Sequence, residues 1–328
     1  MTEKKRPIDR LRESGGSMDV GSPDEGGVAF ANFGDRFLIM KPAALYEIRM
    51  ADSIDPGRTN PKIPNTQQKL LPLGSDSPLL GRTLLVARRL FDKSRLPNID
   101  TVEGVGRSLD AAIDLSAMQE LLERLVSDQK GVAERLAGEK LYNGFSMPSS
   151  GNLVGDVKSF LQKADHVLSA LFDIARLFYP EVTHADSLLK TARRDNFQQN
   201  TIEFLEAVTP SMRFVREARN AIEHPKPNER ISVTDYALRH DGMVERPTIE
   251  VIHPIVPEPP LPVTVFMAEL IEKVSMIFEM TIVHLCFHHA ECGDHAVAVI
   301  EISPESRSTP HERFSYALKF GDEWVPLG

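Results

Sequence analysis

Arg219, Asn220 and His224, in the stretch RNAIEHPKP, have residue types and spacing suited to phosphate chemistry. On a helix, Asn220 and His224 are four apart and lie one turn above the other, while Arg219 sits on the adjoining face with a side chain long enough to reach across. Pro225 disfavours the α conformation in the residue before it, which places His224 at the helix end. There the ring feels the dipole pole that stabilises its charged form. An imidazole titrating near neutrality gives and takes protons, and a guanidinium fork matches phosphoryl oxygens. Nearby, Arg213, Arg216, Lys226 and Arg230 outnumber Glu217, Glu223 and Glu229 and form the expected substrate-binding patch. A structural use of the same residues also fits, with Arg219 pairing with Glu223 one turn on and His224 closing a helix end.

A second cluster lies in HLCFHHAECGDH. His284 and His288 share a helical face, and Cys292 and His295 could fold back after Gly293 to complete a tetrahedral nitrogen and sulfur set. The spacing matches no established zinc pattern, and a helix end with solvent-facing histidines explains it as well. Elsewhere there is no GxxxxGK loop, no GxGxxG after a strand and no HExxH, so the common triphosphatase, dinucleotide and zinc-protease readings fall away. The expectation is a site with no cofactor and no metal.

The elements that must position these residues follow from periodicity. Residues 1–30 read as a flexible tail of small and charged residues. Residues 31–145 read as a mostly helical region that carries a long proline-rich loop or arm around 55–69, suited to crossing onto a second subunit. Within it, SPLLGRTLLVARRLF begins a helix with Ser77 as cap and Pro78 in the first turn, and residues 101–137 continue at helical spacing, with Gly131 interrupting or ending a turn. NGFSMPSSGN at 143–152 is the expected domain boundary. Residues 150–328 read as a helical bundle. A long core helix spans 153–178, a shorter one 185–194, and a third 196–224 that Pro210 should kink or divide. A strongly apolar helix fills 263–290. A β-hairpin turning at Asp241 and Gly242 occupies 231–255, IVPEPPLP acts as a stiff connector, and HAVAVIEIS and RFSYALKF form a C-terminal hairpin.

The chain has 328 residues, 41% hydrophobic and 26% charged, enough for one large or two medium domains. Its formal charge of −9 argues against broad binding to nucleic acid or to an anionic membrane and leaves the local patch as the route to an anion. Cys286 and Cys292 are the only cysteines and suggest no disulfide framework. The basic start has no apolar run behind it, and no stretch reaches about 18 apolar residues, so the expectation is a cytoplasmic protein without a membrane span.

RNAIEH resembles the RxxxxH signature of the HEPN superfamily, in which an arginine, commonly followed by a polar residue, precedes a histidine near the end of a long helix. The flanking helices at 153–178 and 263–290 agree, and the resemblance covers roughly residues 150–290. It implies an all-α bundle over that region, and with the periodicity the expected fold is mainly α, a helical bundle of HEPN type with small β-hairpin additions, preceded by a second helical region. It further implies a homodimer whose composite site joins the motif from both subunits, with Arg219 and His224 as the catalytic pair and Asn220 as the intervening polar member. The activity it implies is metal-independent endoribonuclease cleavage of RNA by 2′-hydroxyl attack, leaving a 2′,3′-cyclic phosphate, in a toxin-like or defence role with an antitoxin or other protein partner. Some relatives lack cleavage and serve as protein-interaction or RNA- or nucleotide-binding modules, which is the alternative reading.

Overall fold

The computed structural model describes residues 5–14, 29–33, 36–137 and 143–327, which fall into two compact units. The first takes residues 1–81 with 302–313, and the second residues 82–301 with 314–328.

In the first unit Pro7–Glu13 forms helix α1, with its proline in the first turn where a missing N–H costs nothing. The rest of the expected flexible tail up to residue 28, apart from residues 5, 6 and 14, lies outside the described residues. Ala29–Phe33 (β1), Arg36–Met40 (β2), Leu45–Arg49 (β3) and Thr66–Leu71 (β4) make an antiparallel meander, with the short helix α2 (Ala51–Ile54) between β3 and β4. Leu38, Ile39, Met40, Leu45, Ile48 and Leu71 are its buried side chains. A glycine is needed at position 74, because a Cβ there would lie 1.9 Å from the Lys41 carbonyl oxygen. The proline-rich stretch folds onto its own unit rather than standing out as an arm. Asp55 accepts from the Asn60 N–H at 2.8 Å, and Arg58 pairs with Asp52 at 2.7 Å and Asp9 at 3.3 Å. The end of that stretch is β4, hydrogen-bonded to β3. Ser77 caps Pro78–Leu80 (α3), accepting from the Leu80 N–H.

The second unit holds the long helices. A π-helical turn over Gly81–Leu85 leads into α4 (Val86–Leu90), followed by α5 (Thr101–Leu136), which the Asp100 side chain caps. Gly131 does not break α5. Leu153–Phe178 is α6, Ala185–Arg194 α7 and Gln199–Glu223 α8, the last running as one helix through Pro210. The apolar stripe of α6, with Val157, Phe160, Leu161, Ala164, Val167, Leu171 and Ile174 fully buried, packs against α5 on one side and α8 on another. Residues 143–152, where a domain boundary was expected, connect α5 to α6 inside this unit.

Three sheets complete the second unit. Arg230–Thr234 (β5) pairs with Thr248–Ile252 (β8), and the short strands Ala237–Leu238 (β6) and Val244–Glu245 (β7) extend that excursion to its turn. Gly242, at φ +81°, supplies the left-handed residue of the turn. Glu258–Pro262 (β9), expected as a connector, is an edge strand on β8, a position that tolerates prolines without donors. Val263–His289 (α9) follows directly, buried on several sides as its near-continuous hydrophobicity requires. Val297–Glu301 (β10), Phe314–Phe320 (β11) and Glu323–Pro326 (β12) form a third antiparallel sheet.

The expectation of a mainly α bundle of HEPN type with small hairpins is therefore overturned. The fold is mixed α and β, with twelve strands in four antiparallel sheets among the described residues. The physical reason is that three β-prone stretches, residues 29–49, 230–252 and 297–326, build sheets rather than small hairpins, and β4 and β9, from proline-rich stretches, add to their edges. Residues 31–145, expected to be mostly helical, begin with a sheet, and apart from the short α2 their helices follow from residue 78.

Candidate functional site: the arginine cleft of helix α8

Arg213, Arg216 and Asn220 fall at intervals of three and four along α8 and so share one face, with Arg219 beside them. That face, α6 and the start of α7 enclose a cleft of about 490 Å³. Helix α6 contributes Asp165, Ser169 and Phe172, and the start of α7 contributes His184 and Asp186. The start of α7 is fixed by a capping box. The His184 Nδ1 accepts from the Ser187 N–H at 3.3 Å, and the Ser187 hydroxyl accepts from the His184 N–H at 3.0 Å.

Most of the charge in the cleft is already matched. The Arg219 Nε stands 3.4 Å from Asp165 and its Nη1 3.3 Å from Glu223, and Nη1 donates to the Asn220 side-chain oxygen at 3.0 Å. Arg213 donates to Asp186 at 2.8 Å. Burial pushes the Asp165 carboxyl above its usual range, and the neighbouring Arg219 opposes that shift. Glu223 is held below its usual range, first by the hydrogen bond from Gln162 and then by Arg219. Arg216 is exposed and makes no hydrogen bond or ion pair among the described residues. Among the described residues the one ion pair of Glu217 is with the His253 Nε2, at 3.9 Å. The other nitrogen of His253 accepts from the Ile255 and Val256 N–H groups at 3.2 and 3.3 Å.

Arg219 and Asn220 thus meet, whereas His224 stands apart from the cleft lining. It is the C-cap of α8, with φ −130° and ψ 63°, so its side chain leaves the helical path that would have stacked it on Asn220. Its ring is exposed and without a hydrogen bond among the described residues. Lys226 and Arg230 are engaged in the turn beyond: Lys226 pairs with Glu229, and Arg230 donates to the Pro227 carbonyl. Neither lines the cleft.

The residues of the second cluster point in separate directions. The His284 Nδ1 lies 2.8 Å from the Thr201 hydroxyl, the His288 ring stacks on Phe197 at 3.8 Å, Cys292 accepts from Arg95 at 2.6 Å, and His295 lies near Phe320. No group of three or more His, Cys, Asp or Glu side chains gathers around a common point among the described residues. Burial pushes the His284 ring down to about 4.

Sequence reasoning missed Asp165, Asp186 and His184 as parts of the site. Asp165 sits 54 residues before Arg219 and carried no signal of its own. The THADS stretch at the start of α7 did carry one, a capping pattern that fixes a helix start. Compared with known proteins, the chain matches no family model, no curated protein and no solved structure. No helix among the described residues is long and apolar enough to cross a membrane.

Proposed function

We propose that this protein is a metal-independent endoribonuclease in which the α8 face holds the RNA backbone and His224 moves the proton. The observation that carries the reading is the arrangement of α8 itself: Arg213, Arg216 and Arg219 line one cleft, and an exposed imidazole with no hydrogen bond among the described residues stands at the end of the same helix. The likeness of RNAIEH to the RxxxxH signature supports it. The ribose 2′-hydroxyl attacks the adjacent phosphorus, His224 serves in proton transfer, and the 5′-oxygen leaves, giving a 2′,3′-cyclic phosphate and a 5′-hydroxyl. Arg219 stabilises the charge that builds on the phosphoryl oxygens. The nucleophile is internal to the substrate, so positioning replaces metal activation. A homodimer joining two motifs, working in the cytoplasm, is part of this proposal.

Incubating RNA with the protein and a chelator tests it. The wild type is expected to cleave, while His224→Ala and Arg219→Ala lose on the order of 100-fold or more in rate, the worth of a general acid–base or oxyanion-stabilising group. Equal cleavage by all three would sink the assignment. One observation favours a second reading, a module that binds RNA or nucleotides without cutting: Arg219 is neutralised within its own chain by Asp165 and Glu223. That reading predicts RNA binding by the wild type with intact RNA recovered.

A further inference from the structure

Two charged groups lining the cleft make no hydrogen bond among the described residues, and they are neighbours in sequence. Arg213 is held by Asp186 at 2.8 Å, and Arg219 by Asp165 at 3.4 Å and Glu223 at 3.3 Å. Arg216 makes no hydrogen bond or ion pair among the described residues and acts on Asp165 only at longer range, and the one ion pair of Glu217 there is with His253 at 3.9 Å. Beside them Leu168 and Met212 are buried and Phe172 is half-buried, so part of the wall is apolar. The volume of about 490 Å³ is too large for a bare phosphate and falls among small-molecule clefts.

The geometry points to a subsite for one guanosine nucleotide of single-stranded RNA, with Arg216 on the phosphate, the base against the exposed part of Phe172, and Glu217 reading the base edge. Single-stranded RNA is recognised through unstacked bases laid on aromatic and apolar side chains, with hydrogen bonds to their Watson–Crick edges. An ionised carboxylate offers two acceptor oxygens and no donor. Guanine presents two adjacent donors on that edge, N1–H and the N2 amino group, and satisfies both oxygens. Adenine and cytosine set one amino donor beside a bare ring nitrogen, and uracil sets one N–H between two carbonyls, so each opposes an acceptor to the carboxylate. The subsite rests on the RNA-directed reading of α8, but it is a binding property and does not require cleavage.

Calorimetric titration of the full chain with guanosine, adenosine, cytidine and uridine 3′-monophosphates tests it. Guanosine is expected to bind tightest, by about 10- to 100-fold, the discrimination of a bidentate base contact. Glu217→Ala should erase that preference and leave uridine binding as it was. Arg216→Ala should weaken all four nucleotides to a similar degree and flatten their salt dependence. Circular dichroism of both variants checks that the fold is kept. Equal affinity for the four nucleotides, no binding to any of them, or a guanosine preference that survives Glu217→Ala each overturns the subsite. RNA cleavage without a guanosine preference would leave the ribonuclease reading standing while this one fails. Guanosine binding by a chain that cuts no RNA would do the reverse.

Discussion

Asp165 and Arg219 restrain each other, and on the proposed reading that restraint sets how strongly the cleft attracts a phosphate. Burial disfavours the ionised form of Asp165, yet its nearest cation is the arginine expected to meet RNA. Asp165→Asn keeps the shape and removes the charge, so Arg219 is released toward the ligand. The expected outcome is RNA affinity raised roughly two- to five-fold, the worth of a partly exposed ion pair, with a steeper salt dependence, measured by fluorescence anisotropy. The wild type should gain part of that increment as pH falls, because the raised carboxyl of Asp165 is protonated ahead of ordinary carboxylates. The variant should lack that gain. Arg219 and Asn220 could be read as a pair from the sequence, because one helix carries both. The carboxylate that opposes them was hidden, since α6 reaches it only through tertiary packing. The position of His224 was half legible: Pro225 marked where the helix ends, but not that its last residue would turn out of the helical path.

Among the elements, α9 carries the clearest pH dependence. His284 is bonded to Thr201 of α8, and His289 packs against Phe178 and Tyr179 of α6 and its end. Burial lowers both rings from 6.5 to about 4, with His288 adding to the shift at His289. An unfolded chain takes up these protons near 6.5, whereas the folded chain resists until about 4, so the unfolded state binds more protons across that window. Stability is full above the unfolded value and is lost as pH falls, by about 1.4 kcal/mol per pH unit per ring. Urea unfolding at pH 7.5 and pH 5 should show that loss, and His284→Asn should roughly halve it; an unchanged slope would show that His284 does not titrate this way. Helices α6, α7 and α9 were legible almost to the residue, because their apolar stripes and end signals agree. Strands β4 and β9 were not. Each lies in a proline-rich stretch whose local pattern speaks for loop, and each becomes a strand only because a neighbouring edge offers it partners.

For the molecule as a whole, the net charge of −9 must be reconciled with the anionic substrate we propose. One α8 face brings three arginines, two of them already offset by carboxylates of the same chain. A second copy of that face across a two-fold axis would double the attraction without altering the global balance, and a two-fold interface presents the same patch from both subunits. This predicts a dimer by sedimentation equilibrium. It also predicts complementation between two inactive variants. If each site takes Arg219 from one subunit and His224 from the other, a heterodimer of Arg219→Ala and His224→Ala chains has one site lacking both groups and one site with both intact. Random mixing makes half of the dimers mixed, so an equimolar mixture refolded together should recover about a quarter of wild-type cleavage, from two variants that are each inactive alone. No recovery from a mixture shown to exchange subunits would mean that each site is built within a single chain. In that case the ion pairs holding Arg219 would have to be opened by the RNA itself, and Asp165→Asn should then raise the cleavage rate as well as the affinity.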